Sequence, residues 1–573
     1  MRQRSKAPPG GGADAWASEK GKRGSDMTQL SYTHGVSDIP LRGETIGQAL
    51  RQTVERFPDR EALVDDRRSY RATYRQLWEQ VEAVARGLIA YGIRRGDRIG
   101  IWSPNRYEWV LIQFATARVG AIMVNVNPSY KAADLRYAVN QSEIALLIAA
   151  RNFRKTDNLE ILGQIGPDSK YPLRTLILES EWNDLLRAGR AVPAKDLEEQ
   201  ESALQFDDPI NIQYTSGTTG FPKGATLTHH NILNNGFFIG ERERLTEQDR
   251  VCIPVPFYHC FGMVLGNLAC ITHGSCIVIP DEAFVPETTM KVVAKEKCTA
   301  LYGVPTMFIA ELDHPDFKKY DFSSLRTGIM AGAPCPIETM KKVQSLMRMT
   351  EVTVAYGMTE TSPVSTQSFF DDPLEKRVST VGKVHPHLEI KIVDPQTGRI
   401  LPRGSEGELC TRGYSVMRGY WNMPEATREV IDDARWMHTG DLATMDDEGY
   451  VKIVGRIKDI IIRGGENISP REIEEFYMTH ESISDIQVIG VPSIKYGEEV
   501  MAWVKLKSGA PPIQGEDLVA YGKGKIATYK IPRFWKFVVD FPMTITGKVR
   551  KIEMREISTR ELKLDEAARV KTA

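Results

Sequence analysis

At 573 residues, 42% hydrophobic and 26% charged, the chain has the composition of a globular protein too long for one core, and it divides into two or more domains. Its 74 Lys and Arg are matched by 75 Asp and Glu without a dominant basic block, which excludes a nucleic-acid partner held by bulk charge. Seven cysteines, odd in number and without a C-x-x-C pair, exclude a disulfide framework and a zinc ribbon, and read as the reduced thiols of a cytoplasmic protein, mitochondrial if its source is eukaryotic.

Residues 1–26 carry Pro8-Pro-Gly-Gly-Gly12 and scattered basic residues but no apolar stretch, so they read as a disordered or artefactual tail, with Met27 as the natural start. From Ile46, apolar residues recur at helical spacing through Leu50 and Val54, and again at Val81, Val84, Leu88 and Ile89. Arg98 to Trp102 then reads as a strand, Trp109 to Val119 as a helix and Ala121 to Val126 as a strand. The alternation recurs near 210–240, 276–310 and 325–357 and predicts parallel sheets covered by helices.

Val251 to Pro280 runs thirty residues without Lys, Arg, Asp or Glu, long enough for a membrane span. Pro254, Pro256, Gly262, Gly266 and Gly274 interrupt it, so it is read as a buried loop, helix and strand, and no transmembrane segment is expected.

Residues 214–224, Tyr-Thr-Ser-Gly-Thr-Thr-Gly-Phe-Pro-Lys-Gly, follow a short strand at Ile210 to Gln213 and precede a helix start at Thr228. Gly217 and Gly220 let backbone N–H groups close on an anion, Thr215, Ser216, Thr218 and Thr219 add hydroxyl donors, and Lys223 adds a charge. That is the chemistry of a polyphosphate cradle; a flexible Gly/Thr linker is the plain alternative. Pro222 before Lys223 and Gly224 after it exclude the Walker pattern.

This loop resembles the signature of the adenylate-forming superfamily of acyl-CoA synthetases, luciferases and peptide-synthetase adenylation domains. The rest of that family's set follows in order: Ala355-Tyr-Gly-Met-Thr-Glu360, Gly407-Glu-Leu-Cys-Thr-Arg-Gly413, His438-Thr-Gly-Asp441, Gly455-Arg-Ile-Lys-Asp459, Gly464-Gly-Glu-Asn467 and Ile545-Thr-Gly-Lys-Val-Arg550. Pro256 to Gly262 and the run 454–467 look most like fatty acid:CoA ligases of the acyl-CoA synthetase family member 2 type. The resemblance implies an α/β fold: a large N-terminal region (27–457) of two parallel-sheet subdomains plus a small β-barrel, then a small mobile α+β C-terminal domain (458–573).

It also implies a reaction in which a carboxylic acid attacks the α-phosphorus of ATP with Mg²⁺ present, giving an acyl-adenylate that coenzyme A then discharges. Loop residues Thr215 to Gly220 and Lys223 would hold the phosphates, Thr359 would touch the α-phosphate and Glu360 would ligate the metal. Asp441 would accept the ribose hydroxyls with Arg456 beside it, while Gly332, Ala333, Pro334, Tyr356 and Gly357 would flank adenine. Lys548 matches the catalytic lysine, Lys458 the hinge, and Gly464, Gly465, Glu466 and Asn467 the lining of the CoA tunnel. Phe257, Tyr258, His259, Phe261, Met263 and Val304 are expected around the acyl group.

The absence of charge between 251 and 280 suits a medium- to long-chain fatty or related acid rather than an amino acid. A fatty acyl-AMP ligase serving a carrier protein and a non-catalytic nucleotide-binding relative are the alternatives, and a homodimer stays open.

Overall fold

The computed structural model describes residues 29–165, 173–215, 222–333, 335–464, 466–543, 549–564 and 567. Two large sheets and the helices between them carry the N-terminal region. One sheet has seven strands, ordered Gly419–Tyr420, Lys223–Thr228, Pro209–Thr215, Ile122–Asn125, Arg98–Trp102, Ile144–Ala149 and Arg174–Ile177, parallel except at the first two. The other has nine, running from Lys383–Val384 through Val364–Gln367, Glu351–Gly357, Thr327–Ala331, Ala300–Gly303, Arg250–Cys252, Cys276–Ile279 and Glu61–Asp65 to Tyr70–Thr73, with a parallel centre.

Local signals set the helix starts. Thr45, Thr73 and Thr228 each cap a helix through a reciprocal box with Gln48, Gln76 and Asn231, fixing Ile46–Arg56, Tyr74–Ala90 and His229–Glu243. Removing one such cap costs about 1 kcal/mol. The helix Tyr107–Val119 is buried on nearly every side between the sheets, and its Trp109 ring lies 5.5 Å from that of Phe257. One core, containing Trp109, Phe114, Ile253, Met263 and Tyr302, therefore joins the two large sheets.

The charge-free segment folds as the sequence predicts: strand Arg250–Cys252, a loop, a π-helical turn Phe261–Leu268 continuing into Ala269–His273, and strand Cys276–Ile279, almost all buried. Among the described residues no helix is long and apolar enough to cross a membrane.

The expected small barrel is an open sheet. Its five antiparallel strands run Tyr32–His34, Leu388–Val393, Gly407–Gly413, Met437–Met445 and Val451–Arg456, and its first and last strands do not pair with each other. Beyond it, strands Ile461–Arg463, Glu466–Ile468, Ile483–Ser493, Gly497–Leu506 and Phe534–Phe537 form a separate sheet covered by helices Pro470–Tyr477 and Lys551–Glu561. This sheet has its own core of Ile461, Ile468, Ile473, Tyr477, Val488 and Val504. It meets the five-stranded sheet through Ser469 Oγ donating to the Val454 carbonyl at 2.9 Å and Arg471 donating to the Ile453 carbonyl.

Candidate active site

Thr215 and Lys223 end the two strands of a hairpin and are direct cross-strand partners; Thr215 Oγ1 donates to the Lys223 carbonyl at 3.4 Å. The intervening Ser216, Gly217, Thr218, Thr219 and Gly220 lie outside the described residues. The Lys223 ammonium sits 5.1 Å from the centroid of the Tyr420 ring, because Gly419–Tyr420 pairs with the strand that Lys223 begins. At the edge of that ring, the Tyr420 hydroxyl donates to Glu360 Oε1 at 2.8 Å. Burial first, and then the Glu360 carboxylate, pushes the Tyr420 phenol far above its usual range, so it stays a donor.

Glu360 and Thr359 occupy a single 3₁₀ turn, Thr359–Thr361, directly after the strand Glu351–Gly357, and both are buried. The Glu360 carbonyl accepts from the Met417 N–H at 2.8 Å, which locks this turn to the chain leading into Gly419–Tyr420. Tyr420 is thus a site residue that no motif marks. Its place follows from strand pairing, and its hydroxyl meets a carboxylate sixty residues away in sequence.

A second carboxylate meets the same strand–turn unit four residues earlier, at Tyr356 near the strand's end. Tyr356 Oη donates to Asp441 Oδ2 at 2.6 Å, and Arg456 Nε donates to Asp441 Oδ1 at 2.9 Å. Asp441 and Arg456 are cross-strand partners, so the antiparallel register builds the ion pair. The Asp441 carboxylate raises the Arg456 guanidinium above its usual value, and burial followed by that carboxylate raises the Tyr356 phenol. The group expected to stack on a base therefore also holds the group expected to bind a ribose.

Gly332 has φ +86°, and a Cβ there would lie 3.3 Å from Val304 Cγ1, so a side chain would be strained and tight against Val304. Ala333 is exposed, Gly357 ends its strand, and Pro334 lies outside the described residues.

Lys458 sits in the 3₁₀ turn Ile457–Asp459, between the last strand of the five-stranded sheet and the first of the C-terminal sheet. Gly464 has φ +59° and donates its N–H to the Tyr496 carbonyl at 2.8 Å, a left-handed turn that suits glycine. Glu466 is exposed and opposite Arg463. Gly465, Lys548 and the side chain of Asn467 lie outside the described residues. Met543 and Val549, which flank the segment holding Lys548, form an antiparallel bridge.

The residues expected around an acyl group divide. Tyr258 and Val304 line a cavity of about 190 Å³ together with Arg154, Glu282, Phe284 and Met307. Phe257 and Met263 are wholly buried, Phe261 nearly so with its ring 6.0 Å from Tyr302, and His259 Nδ1 accepts from the Phe261 N–H at 3.3 Å. Amides surround Met263: its sulfur lies 3.6 Å from Asn125 Nδ2 and 3.8 Å from Gln213 Nε2, and Cys260 Sγ donates to Gln213 Oε1 at 2.8 Å. These amides come from the strands Ile122–Asn125 and Pro209–Thr215, which is why reading 251–280 alone left them out.

The chain is similar to known proteins along most of its length. The family model described as "AMP-binding enzyme" matches residues 50–421, and that described as "AMP-binding enzyme C-terminal domain" matches 472–548. The Bacillus subtilis (strain 168) protein YngI, named provisionally as an acyl-CoA synthetase, is 50% identical over 532 residues, covering 89% of this chain and 96% of its own. The mitochondrial medium-chain acyl-CoA ligase ACSF2 of Danio rerio is 45% identical over 555 residues, covering 93% and 91%. Among solved structures, ATP-bound MatB from Rhodopseudomonas palustris superposes with a TM-score of 0.79 at 28% identity, covering 90% of this chain and 99% of that one. With both family models matched in order, and relatives of this identity spanning nearly its whole length, the chain belongs to the AMP-binding enzyme family.

Proposed function

We propose that the protein is an AMP-forming carboxylic acid:CoA ligase acting on medium-chain acids. The observation that carries this reading is the convergence at the C-terminal end of one strand–turn unit, residues 351–361, of an Asp441–Arg456 pair at Tyr356 and, four residues on, a Lys223–Tyr420–Glu360 set. The first is suited to a nucleoside, the second to its phosphates. The names of the YngI and ACSF2 relatives support CoA as acceptor, and that of ACSF2 supports the chain length.

Activation joins two anions, so the site must supply positive charge and fixed donors rather than a protein nucleophile. Lys223 and the loop before it meet the phosphates. Asp441, a double acceptor, takes ribose hydroxyls in place of the Tyr356 proton it now accepts. Glu360 offers a hard oxygen donor with one oxygen steadied by Tyr420, which fits Mg²⁺, an ion usually held by one or two carboxylates with phosphate oxygens and water. When bound, Mg²⁺ neutralises phosphate charge. Lys548 bridges the acid and the α-phosphate. The C-terminal domain then turns about Lys458 to bring Gly464 to Asn467 to the adenylate for the thiol step.

The test is pyrophosphate release from Mg·ATP across acids of graded chain length, with and without CoA. The proposal expects turnover that peaks at medium chain length, needs CoA and yields acyl-CoA. Acyl-adenylate that accumulates and that CoA does not discharge would instead favour transfer to a carrier protein.

A further inference from the structure

Three metal-binding side chains outside the proposed nucleotide and acyl sites meet on one face of the five-stranded sheet. Glu408 and Cys410 are two apart on the strand Gly407–Gly413 and so project from the same face; His438 is the direct cross-strand partner of Cys410. The imidazole Nδ1 lies 2.8 Å from Glu408 Oε2 and 3.5 Å from Cys410 Sγ, and one donor atom from each residue falls within 4.8 Å of the others. Glu408 and Cys410 are buried, whereas the His438 side chain is 31% exposed, which leaves a path for an ion and a place for a water ligand.

The surroundings match the support that metal-binding histidines receive. The other imidazole nitrogen, Nε2, faces the Asp432 carboxylate at 3.8 Å, and Asp432 is itself fixed by the Trp436 N–H at 2.8 Å. The second Glu408 oxygen accepts the Gly440 N–H at 3.0 Å, so the ligand carboxylate is oriented from behind. Lys391, the cross-strand neighbour of Cys410, is the opposing charge, and its ammonium is drawn 4.4 Å over the Trp436 ring.

We propose that Glu408, Cys410 and His438 form a binding site for a thiolate-preferring divalent ion of the Zn²⁺ class, with water as fourth ligand. A Cys, His and carboxylate set favours Zn²⁺ or Co²⁺ over Mg²⁺ or Ca²⁺, which take oxygen alone. Binding releases the Cys410 thiol proton, and the proton that Nδ1 donates to Glu408 is given up, passing to Nε2 beside Asp432 in the neutral ring or to solvent from the imidazolium, which frees the Nδ1 lone pair for the metal. The site does not depend on the ligase reading. It escapes a search for C-x-x-C because its donors come from two strands.

Co²⁺ titration of the full-length, nucleotide-free protein tests it. The expected result is one equivalent bound, with thiolate-to-cobalt charge-transfer absorption and tetrahedral d–d bands that Zn²⁺ abolishes. Cys410→Ser should lose the charge-transfer absorption, and Asp432→Asn should weaken binding about 10- to 100-fold. If Cys410→Ser does not fold, His438→Gln serves the same purpose by removing Nδ1 from the set. Absence of the absorption in the wild-type protein overturns the proposal, as does its survival in the folded Cys410 or His438 variant.

Discussion

The Tyr356 hydroxyl and the Asp441 carboxylate are joined at 2.6 Å, so without nucleotide one Asp441 oxygen is already spoken for and Arg456 holds the other. A ribose must compete with this contact. Tyr356→Phe therefore acts oppositely on two quantities. It removes a hydrogen bond to a charged acceptor, lowering stability by about 1.5–3 kcal/mol, and it frees Oδ2 for the nucleotide, tightening AMP binding. Denaturant unfolding and calorimetric titration with AMP read the two effects. Weaker AMP binding in the variant would mean that the hydroxyl serves the bound state.

Tyr420 acts on the reaction through Glu360. Tyr420→Phe keeps the ring beneath Lys223 but removes the donor that holds Glu360 Oε1, so the carboxylate is no longer oriented toward a metal. The Mg²⁺ concentration for half-maximal pyrophosphate release should rise about tenfold, with most of kcat recovered at saturating Mg²⁺. A kcat loss that Mg²⁺ does not restore would assign Tyr420 a direct part in the chemistry.

Much of this site was legible before the fold. Lys223 stands in a run whose glycines and hydroxyls themselves point to a phosphate, Asp441, Arg456 and Glu360 were reached only through the resemblance of their motifs to a family, and Thr45, Thr73 and Thr228 announce their helices three residues ahead through Gln or Asn. Tyr420 was hidden because strand pairing with Ala225, not local sequence, gives it meaning. Asn125 and Gln213 were hidden for the same reason: as strand residues they look like side chains turned to water until the π-helical turn with Met263 is laid over them. The resemblance that implies a small β-barrel does not say whether this chain's sheet closes. Closure depends on an edge pairing between Tyr32–His34 and Val451–Arg456 that is not formed.

A buried carboxylate outside the site sets a pH dependence of stability. Glu243 is fully buried where the helix His229–Glu243 ends, accepts from the Tyr302 hydroxyl, and is pushed by burial up to about 8, above the 4.5 of a free glutamate. The folded state therefore holds a proton that the unfolded chain releases. Its contribution is complete below pH 4.5 and is lost as pH rises toward 8, at a slope of at most about 1.4 kcal/mol per pH unit. Glu243→Gln, which cannot titrate, should flatten the fall in unfolding free energy across that window and be the more stable protein at pH 8.5 relative to its own value at pH 5. Parallel curves for the two proteins would show that Glu243 is ionised in the fold throughout.

Two lysines, Lys458 at the domain junction and Lys548 ninety residues further along the sequence, should separate the half-reactions. Lys458 lies in the turn that joins the five-stranded and C-terminal sheets, and Lys548 in the segment closed by the Met543–Val549 bridge. Lys458→Pro fixes φ near −65° and removes the backbone N–H at the pivot, restricting rotation without touching a phosphate. It should leave acyl-adenylate formation within about threefold of normal and slow transfer to CoA by about tenfold or more, an increase in barrier of about 1.4 kcal/mol. Lys548→Ala should do the reverse, abolishing adenylate formation while a supplied acyl-adenylate is still discharged by CoA. Single-turnover assays of each half-reaction decide the matter, because a fixed domain posture predicts that each substitution damages both steps alike.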